Sequence, residues 1–140
     1  MALSDDKDVT ELDSSFSMEH ALAGTDSTQY YRGGLVCIKG STGKVVKGAV
    51  AADLTPIGRC EERILTGSST THKVKARSGI FLFKNSSAGD AIAATEIGKD
   101  CYIVDDETVA KTSDTAARSA AGKVYDVTSA GVWVAVRFPL

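Results

Sequence analysis

Gly33-Gly34-Leu35-Val36-Cys37-Ile38-Lys39 and Lys44-Val45-Val46-Lys47-Gly48-Ala49-Val50 flank the connection Gly40-Ser41-Thr42-Gly43. Two short, apolar, largely β-branched runs on either side of a Gly-rich turn predict a β-hairpin. The pattern repeats downstream. Pro56 to Leu65 (PIGRCEERIL) follows, with Pro56 and Gly58 confining its start to an edge or a bend. His72-Lys73-Val74-Lys75-Ala76-Arg77 alternates, so His72, Val74 and Ala76 share one face of a strand and Lys73, Lys75 and Arg77 the other. Ile80-Phe81-Leu82-Phe83 is apolar on both faces, as a central strand requires. Asn85 to Gly89 and Ser113 to Ala121 read as loops, and Ala91 to Gly98 holds one short helical turn ended by Gly98. Cys101 to Val104 and Thr108 to Lys111 predict short strands around Asp105-Asp106-Glu107. The chain closes with Gly122 to Val127 and Gly131 to Phe138, where Val132, Val134 and Val136 face one way and Trp133, Ala135 and Arg137 the other. About nine short strands, punctuated by 13 Gly and 2 Pro, predict an all-β domain closed, or nearly closed, into a small barrel or sandwich.

The 140 residues make one ordinary domain, and 43% hydrophobic with 24% charged residues excludes a disordered or fibrous chain. Charge is uneven. Residues 1–30 hold seven acids against Lys7 alone, and the other 110 residues hold 15 bases and 11 acids. The chain therefore divides into an acidic N-terminal arm, 1–29, and a mildly basic β domain, 30–140. Val9, Leu12 and Phe16 follow a helical i, i+3, i+7 spacing without the bulk to bury a helix. The arm is thus expected to be loose when free, burying Leu3, Val9, Leu12, Phe16 and Met18 only against a partner. An acidic arm on so weakly basic a body argues against nucleic acid, which needs a concentrated cationic surface. No apolar run approaches the roughly 18 residues of a membrane span, so no membrane is expected either. Met1-Ala2-Leu3-Ser4-Asp5-Asp6 has neither the basic start nor the apolar stretch of a secretory leader, so the chain is expected to stay in the cytoplasm where it is made.

Motifs with chemical potential fail on spacing. Lys39 to Val46 (KGSTGKVV) lacks the Gly at Ile38, the Ser or Thr at Val45 and the following helix that a phosphate loop needs. His20 and His72 have no acidic or thiol neighbours at metal spacing, and no nucleophile elbow or zinc-protease helix is present. No enzyme, cofactor or metal is expected. Asp105-Asp106-Glu107 could offer oxygens to calcium, but it lacks the spacing of a dedicated loop and is expected to be a solvated turn. Asn85-Ser86-Ser87 matches a glycosylation acceptor and is taken as a turn. Cys37, Cys60 and Cys101, odd in number and unpaired, are expected to be small core hydrophobes. Lys73, Lys75 and Arg77 could dock an acidic protein surface or simply protect a solvated strand.

Several blocks in fixed order carry a resemblance: Gly33-Gly34-Leu35-Val36, Gly43-Lys44-Val45-Val46, Pro56-Ile57-Gly58-Arg59-Cys60-Glu61-Glu62, and Val74-Lys75-Ala76-Arg77-Ser78-Gly79-Ile80-Phe81. Ala88-Gly89-Asp90-Ala91-Ile92, the run Ile97 to Val109, Ala121-Gly122-Lys123-Val124 and Gly131-Val132-Trp133-Val134 complete it. Together they make the chain resemble the head-decoration, or capsid cement, proteins of tailed bacteriophages. The resemblance implies a β-tulip-like decoration domain with no enzymatic role. Such a domain binds the major capsid protein on the outer face of the shell and clamps neighbouring capsomers. It further implies a homo-oligomer, with a trimer favoured, located in the virion after synthesis in the bacterial host cytoplasm. The contact residues expected from the chain itself are Leu3, Val9, Leu12, Phe16 and Met18 of the arm, buried against the partner, with the cations Lys73, Lys75 and Arg77 of the domain. A tail or baseplate component is the alternative.

Overall fold

The computed structural model describes residues 2–13, 19–24, 27–66 and 72–138. Within them thirteen strands follow one another: β1 (Glu11–Asp13), β2 (Glu19–Gly24), β3 (Gln29–Tyr30), β4 (Leu35–Lys39), β5 (Lys44–Lys47), β6 (Leu54–Cys60) and β7 (Ile64–Leu65), then β8 (His72–Arg77), β9 (Gly79–Asn85), β10 (Asp100–Ile103), β11 (Thr108–Ala110), β12 (Ala120–Thr128) and β13 (Gly131–Val136). Among the described residues, helix is confined to two 3₁₀ turns, Ala88–Asp90 and Ala94–Glu96. The second lies inside the segment expected to hold one helical turn.

The strands form two main sheets. One is a closed barrel in the order β2-β5-β4-β6-β8. The other is six-stranded, β1-β9-β11-β10-β12-β13, with β9 also pairing β13 so that the sheet rolls back on itself. β3 and β7 make a separate two-stranded pair. The expected all-β barrel architecture is therefore present. The hairpin expected around Gly40-Ser41-Thr42-Gly43 is β4–β5, with Lys39 opposite Lys44 and the turn closed by Gly43 N–H donating to the Lys39 carbonyl at 2.7 Å.

Each sheet encloses its own core. Tyr30, Val36, Val45, Ile57, Cys60, Val74 and Ala76 fill the barrel. Phe81, Phe83, Cys101, Ile103, Val109, Val124 and the three valines of β13 fill the second. β4 belongs to both, because Leu35 and Cys37 enter the second core while Val36 enters the barrel. A strand buried on both faces loses the polar half of its alternation, which explains why Leu35 to Ile38 is continuously apolar.

Pro56 sits at a bend, as expected, on a stretch of β6 that pairs β4 and lies ahead of the Arg59 and Cys60 pairing with β8. β6 runs between β4 and β8, and Val36 pairs Gly58 while Cys37 pairs Pro56, leaving Ile57 as the extra residue of a bulge. A bulge tolerates proline within a sheet, and it drives Ile57 fully into the barrel.

The division into a loose arm, 1–29, and a domain, 30–140, does not describe this molecule. β2 pairs β8 along its whole length and touches β5 through Gly24 opposite Val45, so it closes the barrel. β1 pairs β9 through Glu11 opposite Phe81. Between these and the chain start, Lys7 N–H donates to the Arg32 carbonyl at 2.8 Å, and Leu82 N–H donates to the Thr10 carbonyl at 2.9 Å. The physical reason is closure: without β2 and β1, β8 and β9 would each expose a row of unpaired backbone groups.

Candidate contact surface

The residues expected to contact a partner divide sharply by location. Lys73 and Lys75 are exposed on the outer face of β8, while Val74 and Ala76 between them are fully buried in the barrel. The predicted alternation thus holds, and it produces an outward cationic strand face. Arg77 is half-buried at the end of this row, in register with Glu19 on β2 and Arg59 on β6.

Val9 is a correction. It is 3% exposed and belongs to the second core, so it has no surface to give a partner. Leu3 is half-buried, with its N–H donated to Asp106 Oδ1 at 2.9 Å. Leu12 lies in β1, and Phe16 and Met18 fall outside the described residues.

Three of the seven acids of the N-terminal segment, Asp5, Asp6 and Asp8, meet arginines of the rest of the chain. Asp5 and Asp6 pair with Arg63, and Asp8 reaches Arg32 at 3.5 Å. The Asp6 N–H and the Arg63 guanidinium hold the Asp5 carboxyl below its usual range. Lys7 Nζ lies 3.0 Å from Glu107 Oε1, and Arg59 donates to the Val9 carbonyl at 2.6 Å while its guanidinium stacks 4.7 Å from the Phe81 ring centre. Arg59 thereby joins the N-terminal segment, the barrel and the second sheet, a role that a single arginine in PIGRCEE does not announce.

Asp105-Asp106-Glu107 is not a solvated turn. Asp106 and Glu107 are buried, Asp105 Oδ1 accepts the Glu107 N–H at 2.9 Å, and the other two carboxylates receive Leu3 and Lys7. Among the described residues no group of three or more His, Cys, Asp or Glu is placed to hold a metal ion. The Asn85 amide is also occupied, donating to the Ile92 carbonyl and accepting the Ile92 N–H, both at 2.8 Å. Cys37, Cys60 and Cys101 are free and buried, as expected of core hydrophobes. Burial pushes the Cys37 and Cys101 thiols up to about 12 and Cys60 up to about 11, so the reactive thiolate is suppressed in all three.

A second surface feature had no sequence signal. A groove of about 830 Å³ opens between β6 and the β10, β12 and β13 end of the second sheet. Lys123 Nζ sits 2.8 Å from Asp100 Oδ1 on its rim, and Arg137 and Phe138 lie at its other side. Comparison of the chain with protein-family models, with curated proteins and with solved structures returned no match.

Proposed function

We propose that this chain is a non-enzymatic virion structural protein. It binds the outer surface of a tailed-phage capsid and cements neighbouring capsomers, with the major capsid protein as partner. The observation that carries the reading is the ordered set of sequence blocks from Gly33 to Val134, which resembles decoration proteins across nearly the whole body of the chain. The exposed Lys73 and Lys75 on β8 support a contact made by a preformed strand face. A loose arm would have to be ordered on binding at roughly 1 to 2 kcal/mol per residue. A rigid face avoids that cost, although each exposed ion pair contributes only about 0 to 1 kcal/mol. Tight retention then comes from multivalency: an oligomer, with a trimer favoured, engages several sites on one shell.

The test is co-sedimentation of the purified chain with expanded, undecorated capsids of the phage that encodes it. Saturation at a fixed number of copies per shell, with raised resistance of the shell to heat, is the expected outcome. Absence of binding, with the chain found in isolated tails, would replace this reading by the tail or baseplate alternative.

A further inference from the structure

Backbone strain among the described residues is concentrated around the loop between β11 and β12. Of the five non-glycine residues there with positive φ, four belong to it or to the turn that faces it: Ala88 at +54°, Asp114 at +52°, Thr115 at +57° and Ala116 at +66°. Left-handed backbone is disfavoured for L side chains, most of all for a β-branched one such as Thr115. Three such residues in succession form a left-handed turn, and residues 111–118 (KTSDTAAR) contain no glycine to relieve it.

Asp90 holds this turn shut. Its Oδ1 accepts the Thr112 hydroxyl at 2.6 Å and its Oδ2 accepts Arg118 Nη1 at 3.3 Å, so one carboxylate ties the two ends of the loop together. Its carbonyl accepts the Lys111 N–H at 2.9 Å, and Lys111 Nζ lies 3.9 Å from Glu96 Oε1. Inside the loop, the Arg118 N–H donates to the Ser113 carbonyl at 3.0 Å, and Arg118 Nη1 donates to the Thr112 carbonyl at 3.1 Å. The closed form carries a second cost, because Arg118 Nε is buried with no acceptor among the described residues. Beyond the loop the chain is fixed: Ala110 is fully buried, and the Ser119 hydroxyl donates to the Ala51 carbonyl at 2.6 Å and accepts the Leu54 N–H at 2.9 Å. No residue of 111–118 belongs to either core. A segment that stores strain and buries little opens before the sheets do. We propose that residues 111–118 are a latched loop, held against its own backbone strain by the Asp90 carboxylate bridging Thr112 and Arg118, which opens as a unit while both sheets stay folded. Opening relaxes the left-handed turn, frees Arg118 and exposes the bonds after Lys111 and Arg118 to proteases. The proposal is independent of the capsid reading.

The test is limited trypsin digestion of the full chain near neutral pH, with cleavage after Lys111 and Arg118 timed by mass spectrometry at several urea concentrations below the unfolding midpoint. Cleavage that waits on a fast opening follows the population of the open form. Because a local opening exposes little surface, the rate at these two bonds should rise only slightly with urea. Asp90→Ala, which removes both side-chain bonds of the latch, should be cut there at least about tenfold faster than the parent. Thr115→Gly relieves the left-handed turn and should be cut at least about threefold more slowly. Thr112→Val, at an exposed position, removes the hydroxyl bond alone and takes the place of Asp90→Ala should that variant not fold, with at least about threefold faster cleavage expected. A rate that climbs with urea as steeply as global unfolding would overturn the proposal, since cleavage would then need the whole fold to open. So would cleavage unmoved by the latch variants, cleavage not slowed by Thr115→Gly, or no cleavage at these bonds in any variant.

Discussion

Gly33 is constrained twice, by its own backbone and by the segment passing over it. Its φ of +98° lies where side chains are disfavoured, and a Cβ there would stand 2.0 Å from the Lys7 carbonyl oxygen and 2.8 Å from Val9 Cγ2. Gly33→Ala should therefore cost more than the roughly 1 to 2 kcal/mol of a left-handed residue, because residues 7–9 must also move. Gly43→Ala isolates the backbone contribution, since Gly43 has φ +69° with open space around its Cα. Urea denaturation of both variants checks this, and equal losses would mean that the contact over Gly33 is not tight. Asp106 makes the opposite kind of prediction. Burial chiefly, then the charges of Asp105 and Glu107, raise its carboxyl above the ordinary 3.8, against the Leu3 N–H and Lys47, which lower it. A carboxyl raised on folding is penalised in its ionised form: the penalty is absent below the ordinary value and complete above the folded one. Asp106→Asn keeps an oxygen for the Leu3 N–H and should raise the urea midpoint at pH 7, with the gain shrinking as the pH falls to about 4 and below. A gain independent of pH would show that charge burial is not its origin.

β2 is the element on which the barrel depends and the one least visible in the chain. His72 to Arg77 declares itself by alternation, whereas Glu19-His20-Ala21-Leu22-Ala23-Gly24 has no β-branched residue and only one large apolar one. Its strand conformation is imposed by the open edge of β8, a tertiary cause that local pattern does not carry. The helical spacing of Val9, Leu12 and Phe16 misleads for a related reason: Val9 is held in the second core and Leu12 lies in β1, so their separation reflects two different contacts. The β4–β5 hairpin, β8, β9 and β13 were legible because each carries its own periodicity. The Lys73 and Lys75 face was legible with them. The groove was not, because its lining is drawn from Thr55 and Pro56, Asp100, residues 120–123 and residues 135–138, which only the fold brings together. Deletion of residues 1–29 removes β1, β2 and half of β3, leaving β8 and β9 with unpaired backbone. The expected result is loss of the single cooperative thermal transition by circular dichroism, with aggregation through the opened edges. A truncated chain that stays soluble and melts like the full one would show that the barrel closes without β2.

At the scale of the whole molecule, the charge asymmetry of the sequence is offset in part by surface ion pairs, since Asp5, Asp6 and Asp8 face Arg63 and Arg32. Lys73 and Lys75 keep an outward position on a strand whose inward residues, Val74 and Ala76, hold the barrel core. That separation of roles allows binding to be tested without disturbing the fold. Lys73→Glu combined with Lys75→Glu changes only exposed side chains, so stability should stay within about 0.5 kcal/mol of the parent by urea denaturation. Arg77 is left in place because it is half-buried beside Glu19 and Arg59 in the ladder. If the β8 face meets an acidic shell surface, reversing two charges per copy turns attraction into repulsion at every site that the oligomer engages. Capsid binding should then fall more than about tenfold, and the binding of the parent should weaken as added salt shortens the screening length. Wild-type occupancy of capsids by the double variant, together with an unaltered salt response, would remove the β8 face from the interface. With folding unimpaired, no loss of structure could account for such a result, and the shell contact would have to lie on another face of the molecule.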